Sequence, residues 1–497
     1  MLERELKLGA GPGFHLPDLD GVAEGIRASP SEQVRLETVY WDTKDLSLAR
    51  WGCSLRHRVA GGKAEGWTVK LPAEGAAGAL LERSEMEFEG PARRPPAAAV
   101  ALVRAYVRSA ELEPVARLST LRERIRLVDR AGRRLVEVTD DEVSVLEGRR
   151  VAARFRELEI EVAPGGDDLL DPVLDRLHKA GAGQPDPTPK NIRALGPRAQ
   201  APPEVAVRTV QGGTAGEALK AAIAGSVAQL LHHDPAIRAG TDPESVHQAR
   251  VAVRRLRSHL RTFGDLLEPA WTGELRADLG RVGAGLGAAR DAEVLLERLQ
   301  GRLKELPEAD RRVALGLLSR LQTEAVQARE SARKLLDREA YIALLDRLVE
   351  AANDPPLLET AQLPASEVLP MLAAGPWRKL RKAVKDLGPD SPDAELHAAR
   401  IAAKRARYAA EAVAATGSSE AAAFAKAAAA LQTVLGEHQD AVTAQAWLRA
   451  AGATGRRAFA AGQLSALELA AATKARTEWP RVWKTLKAKR LRRWIPA

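Results

Sequence analysis

The chain begins MLERELKL (residues 1–8), where Glu3, Glu5 and Lys7 alternate with Leu2, Arg4, Leu6 and Leu8. Residues i, i+2 and i+4 of a β-strand share a face. A strand here therefore turns two carboxylates and an ammonium to one side. Other stretches do likewise. RSEMEFEG (83–90) sets Glu85, Glu87 and Glu89 on one face, and FRELEIEV (155–162) sets Glu157, Glu159 and Glu161. Basic rows accompany the acidic ones: Arg56 and Arg58 in SLRHR (54–58), Lys70 in WTVKL (67–71), and Arg122, Arg124 and Arg126 in RERIR (122–126).

One strand could face water with such a row. The joint pattern suits an exterior poorly, because exposed strands gain cross-strand pairing by mixing signs. Strands closed into a barrel can instead turn the charged face inward, around a water-filled lumen. Such a lumen needs a ligand that offsets its self-repulsion. Arg and Lys clusters suit phosphate oxygens, and carboxylate clusters suit Mg²⁺ or Mn²⁺. A metal-chelated polyphosphate answers both.

The rest of the chain sets the frame for this domain. A length of 497 residues predicts two domains or more. With 45% apolar and 28% charged residues the chain reads as globular rather than disordered. A net charge of +9 favours a polyanionic partner: nucleic acid, an anionic membrane or polyphosphate. Cys53 is the single cysteine, which excludes an intrachain disulfide or a thiolate metal cluster and fits a reducing cytoplasm. The first residues lack an apolar signal region. The Ala-rich stretch 421–435 is short and carries Lys426, so no bilayer span is expected.

Near residue 200 the pattern changes. Up to there, period-2 segments separated by Gly and Pro read as antiparallel strands. GPRAQAPPE (196–204) has a linker's composition, and beyond it Ala, Leu, Arg and Glu recur at helical spacing. The expected class is α+β multidomain: a β-rich domain over 1–198, a linker over 199–204 and a helical domain over 205–497.

ERELK (3–7), VYWDT (39–43), LRHR (55–58), TVKL (68–71), RSEMEFE (83–89) and RELEIE (156–161) occur in the order found in CYTH domains, the triphosphate tunnel metalloenzymes. The first domain resembles that family over essentially its whole length. The resemblance implies an eight-stranded antiparallel tunnel that binds a triphosphate with a divalent metal, Mg²⁺ or Mn²⁺. It matches Glu3 and Glu5 to the acidic metal-side positions and Lys7 to a phosphate-side lysine, the three taken as catalytic. Arg56, Arg58, Lys70, Arg122 and Arg124 match basic substrate positions, with Arg117 and Arg126 as competitors for the last pair. Glu85, Glu87, Glu157 and Glu159 match later acidic, metal-side positions. Asp140 or Asp141 fills a late Asp position, and Glu89 and Glu161 fall toward the rim.

The second domain repeats itself. SVHQARVAVRRLRSHLRTF (245–263) aligns with ELHAARIAAKRARYAAEAV (395–413), His247 over His397, an offset of 397 − 247 = 150. Farther on, LGAARDAEVLLERL (286–299) aligns with LGEHQDAVTAQAWL (435–448), placing Asp291 near Asp440. Two related helical halves follow, about 210–350 and 365–497. In each, His and basic residues at i, i+3, i+7 and i+10 form one helical stripe. A solvated basic face would interleave Glu partners, and these stripes lack them. Two such helices facing each other make a basic channel. Nucleic acid is the rival ligand. Single-strand binders stack bases on aromatic platforms, and the chain is only 4% aromatic, so inorganic polyphosphate ranks first.

The repeat resembles the CHAD domain, from about 210 to the end. That resemblance implies a helical, pseudosymmetric polyphosphate-binding module, often linked to polyphosphate granules. Its motif falls on His247, Arg250, Arg254, Arg255, Arg257, His397, Arg400, Lys404, Arg405 and Arg407. The basic WKTLKAKRLRRW (483–494) either extends the channel or is a solvated tail. The expected protein is a cytoplasmic metal-dependent triphosphatase hydrolysing tripolyphosphate, joined to a polyphosphate binder. A scaffold without catalysis, a thiamine triphosphatase and an adenylyl cyclase are the alternatives.

Overall fold

The computed structural model describes residues 2–72, 80–210, 212–240, 242–451 and 454–496, in two compact units, Met1–Glu204 and Val205–Ala497.

The described residues of the first unit form nine strands: β1 (Leu2–Gly9), β2 (Arg27–Ala28), β3 (Glu32–Asp42), β4 (Ser54–Ala60), β5 (Lys63–Pro72), β6 (Leu80–Phe88), β7 (Glu113–Val128), β8 (Arg134–Glu147) and β9 (Arg150–Val162). They pair in the order β7-β3-β4-β5-β6-β1-β9-β8, and β8 returns to β7 to close an eight-stranded antiparallel barrel. The two-residue β2 adds a short pairing at the end of β7. Between β4 and β5 the turn is Gly61-Gly62, with φ of 54° and 84°. Two consecutive positive φ values are what a two-residue hairpin requires, and glycine meets them without steric cost.

The barrel is apolar outside and polar inside, the reverse of a small barrel filled by its own core. Leu6, Leu8, Leu127, Val136, Val138, Leu158 and Ile160 point outward and are buried beneath Phe14, Leu19, Val173 and Leu177. The last two belong to α4 (Leu170–Lys179). The other short helices of this unit are α1 (Ser47–Arg50), α2 (Ala97–Leu102), α3 (Arg104–Val107) and α5 (Lys190–Leu195). Residues 199–204 are fastened to the first unit. The Arg50 guanidinium donates to the Pro202 carbonyl at 2.8 Å, and Trp51 and Arg108 donate to the Glu204 carboxylate at 3.1 and 2.6 Å.

The second unit is helical: α6 (Ala215–Ala239), α7 (Pro243–Thr262), α8 (Pro269–Arg302), α9 (Glu308–Leu336), α10 (Glu339–Asn353), α11 (Ala365–Lys385), α12 (Asp393–Ala414), α13 (Ser419–Ala451) and α14 (Gly455–Leu486). Helices α6–α9 and α11–α14 follow the 150-residue repeat, and α10 lies between them. The capping box between Thr214 and Glu217 starts α6. One core gathers Trp377, Leu380, Leu396, Phe424, Leu431 and Trp479 from α11–α14. Another joins Leu299, Leu317 and Leu321 of α8 and α9 to Leu448 and Leu464 of α13 and α14. Within WKTLKAKRLRRW, Trp483, Leu491 and Trp494 pack against the first of these cores, so that segment is not a free tail. No described helix is long and apolar enough to cross a membrane.

Candidate functional site

Strand register makes the inner face of the barrel continuous. Glu3, Glu5 and Lys7 of β1 share it with Arg83 and Glu85 of β6, Lys70 of β5, Arg56 and Arg58 of β4, Tyr40 of β3, Arg122 of β7, Glu137 and Thr139 of β8 and Glu159 and Glu161 of β9. These residues enclose a cavity of about 160 Å³. Its charge is sorted into pairs. Lys70 Nζ lies 2.6 Å from Glu3 Oε2 and 3.3 Å from Glu85 Oε2. Arg83 binds Glu5 closely and reaches Glu3 at 3.8 Å. Arg56 approaches Glu85 at 3.5 Å. Arg122 reaches Asp141 at 2.6 Å and Glu159 at 2.9 Å.

Lys190, at the start of α5, joins the lining of the cavity. Its ammonium lies 2.8 Å from Asp141, 2.7 Å from Glu157 and 2.7 Å from Glu159. Lys7 joins the same group, 3.1 Å from Glu157 and in close contact with Glu159. Asp141 and Glu157 have no solvent exposure. Burial drives both lysine pKa values down, but the surrounding carboxylates outweigh it and both end raised. Burial likewise favours a neutral Glu159, yet Lys190, Lys7 and Arg122 hold it well below the usual carboxylate range.

On the basic wall the balance differs. Burial, together with Arg56 and Arg122, brings the Arg58 pKa down to about 10. Burial and Arg56 lower Lys70 despite Glu3. The Nε atoms of Arg56, Arg58 and Arg83 are buried without a hydrogen-bond partner. A buried donor left unpaired costs free energy. These three N–H groups therefore favour a ligand that brings acceptor oxygens.

Most of the expected residues meet in this cavity; some lie elsewhere. Glu87 is exposed beyond it on β6, and Glu89 lies past the strand end. Arg124 pairs with Glu32 at 2.8 Å, outside the cavity lining, and Arg126 binds Glu137 at 2.9 Å. Arg117 has the opposite strand parity and is exposed. Glu157 is buried beneath the cavity rather than lining it. Of the two aspartates, Asp141 shares the inner face, whereas Asp140 faces outward and binds Arg156 at 2.6 Å. Arg83, Tyr40, Glu137 and Lys190 line the cavity without having been singled out by the sequence patterns.

In the helical unit, α7 and α12 carry the two stripes, with His247, Arg250, Arg254, Arg255 and Arg257 on one and His397, Arg400, Lys404, Arg405 and Arg407 on the other. All ten are half-buried. Arg250 and Arg400 rest on matching glycines of α8 and α13. A Cβ at Gly287 would lie 3.8 Å from Arg250 Nε, and one at Gly436 would lie 3.4 Å from Arg400 Nε. Tyr408 sits between the stripes, its hydroxyl accepting from Arg254 Nε at 2.6 Å. The guanidinium carbons of Arg254, Arg255 and Arg407 lie 5.6, 5.9 and 5.5 Å from its ring centre, within cation–π range.

Crowded cations depress one another here. Burial, then Arg254, Arg400 and Arg250, bring the Lys404 pKa down to about 7. Burial also lowers His247, with Arg290, Arg254 and Arg250 adding to it. The Nε atoms of Arg290 and Arg400 and His397 Nδ1 are buried without partners. His438, one position before the repeat partner of Arg290, turns its Nε2 to Asp393 at 3.2 Å.

Comparison with known proteins follows the same division. The CYTH domain family model matches residues 1–183, and the CHAD domain model matches 221–449. The uncharacterized protein MT2285 of Mycobacterium tuberculosis (strain CDC 1551 / Oshkosh) is 34% identical over 469 residues, covering 86% of this chain and 84% of its own. This chain belongs to the CYTH–CHAD family.

Among solved structures, the CHAD domain from the plant Ricinus communis is 30% identical, covering 58% of this chain and 97% of its own with a TM-score of 0.48. PptA from Streptomyces chartreusis is 25% identical, covering 55% of this chain and 99% of its own with a TM-score of 0.47. CYTH domains hydrolyse or cyclise triphosphates and generally depend on divalent metals, and CHAD domains are associated with polyphosphate.

The CYTH cavity fits such a metal by its donors. Its acidic side offers carboxylate oxygens, and Glu3, Glu5 and Glu85 share Lys70 and Arg83 as partners. Among the described residues no group of three or more acidic, His or Cys side chains is arranged to hold a metal ion by itself.

Proposed function

We propose that the barrel is a metal-dependent inorganic triphosphatase that cleaves a P–O–P bond of tripolyphosphate, and that the helical unit binds inorganic polyphosphate. The observation that carries this reading is the sorted charge of the cavity. Carboxylates of β1 and β6 face buried arginines whose Nε atoms lack acceptors, in a space lined by charged and polar groups.

In this reading Arg56, Arg58, Lys70 and Arg122 bind the non-bridging oxygens, and Lys7 supports the phosphate beside Lys190. Fixed cations stabilise the charge that builds on the leaving phosphate without reorganising. Glu3, Glu5 and Glu85 are the residues that would hold Mg²⁺ or Mn²⁺, with Glu159 on the opposite wall. When bound there, a divalent ion would supply charge neutralisation of phosphate oxygens and a lowered pKa for an attacking water. As triphosphate oxygens take over Lys70 and Arg83, the carboxylates those residues now occupy are released toward the metal side.

Among the described residues no aromatic cluster lines the cavity to receive a base or a thiazole, which ranks inorganic triphosphate above ATP or thiamine triphosphate. The test is phosphate release from tripolyphosphate by the purified protein with Mg²⁺ or Mn²⁺, beside ATP and a metal-free sample. Metal-dependent release that favours tripolyphosphate supports the proposal. No release from protein that still binds polyphosphate replaces it with the scaffold reading.

A further inference from the structure

The two halves of the helical unit are not equivalent around their stripes. Under the 150-residue repeat, Arg255 corresponds to Arg405, Arg257 to Arg407, and Arg261 to Glu411. On one side of the α7–α12 pair, Glu411 joins the two helices. It accepts from Arg407 at 2.6 Å and from Arg255 at 3.5 Å. On the other side the corresponding group is Arg257, Arg261 and Arg405, joined by Arg276 of α8. No member of this group forms an ion pair with a described residue, whereas Arg250, Arg255 and Arg407 of the stripes each do.

Arg257 lies over α8: Cβ atoms at Gly280 and Gly283 would stand 3.6 and 3.8 Å from its two Nη atoms, and Arg276 precedes Gly280 by one turn on the same helix face. Burial lowers the pKa of Arg261, and Arg405, Arg276 and Arg257 lower it further. Burial also lowers Arg405, with Arg257 and Arg276 adding to it. Four guanidinium groups gathered without a carboxylate repel each other unless an anion joins them. The twin site already displays the arrangement, with the Glu411 carboxylate bridging two arginines across the helices.

We propose that Arg257, Arg261, Arg276 and Arg405 form an open phosphate-binding site, in which a phosphoryl group of a polyphosphate chain takes the place Glu411 fills in the twin. The inference rests on the reading of the helical unit as a polyphosphate binder and adds Arg261 and Arg276 to it. It also makes binding lopsided. From His247 to Arg261 α7 rises about 21 Å, so a chain must be long enough to lie along the stripe before it gains this site.

The experiment measures dissociation constants of the full-length protein for long-chain polyphosphate, in EDTA so that the probe is not consumed. Arg261→Glu, which installs the twin's acid, is expected to weaken binding by about tenfold, and Arg261→Gln by about threefold. Neither lowers the unfolding temperature, because Arg261 is exposed and forms no ion pair with a described residue. Glu411→Arg opens the closed twin and tightens binding. If the native protein binds and both Arg261 variants bind equally well, the open site is overturned while the polyphosphate reading stands. If the native protein does not bind, that reading falls and takes the site with it. Single-stranded DNA that competes equally per phosphate would reassign the site to a nucleic-acid backbone and overturn the polyphosphate assignment.

Discussion

The barrel and the helical unit both gather arginine and lysine, but they treat the charge in opposite ways. In the barrel nearly every cation has a carboxylate at hand: Lys70 has Glu3, Arg83 has Glu5, and Lys190 has three. In the helical unit, Lys404 faces Arg254, Arg400 and Arg250, and Arg405 faces Arg257 and Arg276. The difference teaches what each surface awaits. A paired lumen has internal carboxylates that a ligand must displace, which suits an anion arriving with its own metal. The stripes, where Arg250, Arg255 and Arg407 alone pair with described carboxylates, leave more of their cations for an anion to meet.

The largest expected effect breaks the paired side. Lys190→Met leaves Asp141, Glu157 and Glu159 facing one another in a buried space, and removing one partner of a buried ion pair costs about 3–5 kcal/mol. Urea unfolding monitored by circular dichroism reads this loss. Next, Glu5→Gln takes a carboxylate from the metal side and leaves Arg83 without its charge partner. Tripolyphosphate turnover should fall by about 10²–10³-fold, measured as phosphate release at saturating Mg²⁺.

The third prediction sharpens the unpaired side. With a pKa near 7, Lys404 loses its charge as pH rises through neutrality. Polyphosphate affinity should fall by about tenfold between pH 6 and 9, and Lys404→Arg should flatten that profile in titration calorimetry. Without ligand the sign is opposite. The folded state holds fewer protons than the unfolded chain between about pH 7 and the ordinary lysine value, so Lys404 makes stability rise with pH there. The smallest effect belongs to Tyr408→Phe, which keeps the ring under three guanidinium groups and removes the acceptor of Arg254. Affinity for polyphosphate should weaken by about two- to fivefold, and Tyr408→Leu should weaken it further by removing the ring as well.

Strand parity made much of the barrel legible. The rows through Glu3 and Glu5, Arg56 and Arg58, and Glu157 and Glu159 do share the inner face, because register in a closed sheet carries parity from strand to strand. Parity reports a face and not a depth, which is why Glu87 reads like Glu85 yet lies exposed. Arg83 and Glu137 were within reach, each lying on a row already marked by Glu85 or Asp141. The same rule separates Asp141 from Asp140. Lys190 was not, since it follows the last strand and reaches the site only through the tertiary path of residues 183–190 beside β1. In the helical unit the repeat exposed both stripes. The replacement of Arg261 by Glu411 was also in the aligned segments, but its meaning depends on α7 meeting α12.

The position of α5 carries a consequence for traffic. Lys190 is held among Asp141, Glu157 and Glu159, so a ligand could pass it only by parting those ion pairs. On the proposed reading, a spent fragment that leaves them intact returns by the way it came, and a long chain offers this cavity its tip before its middle.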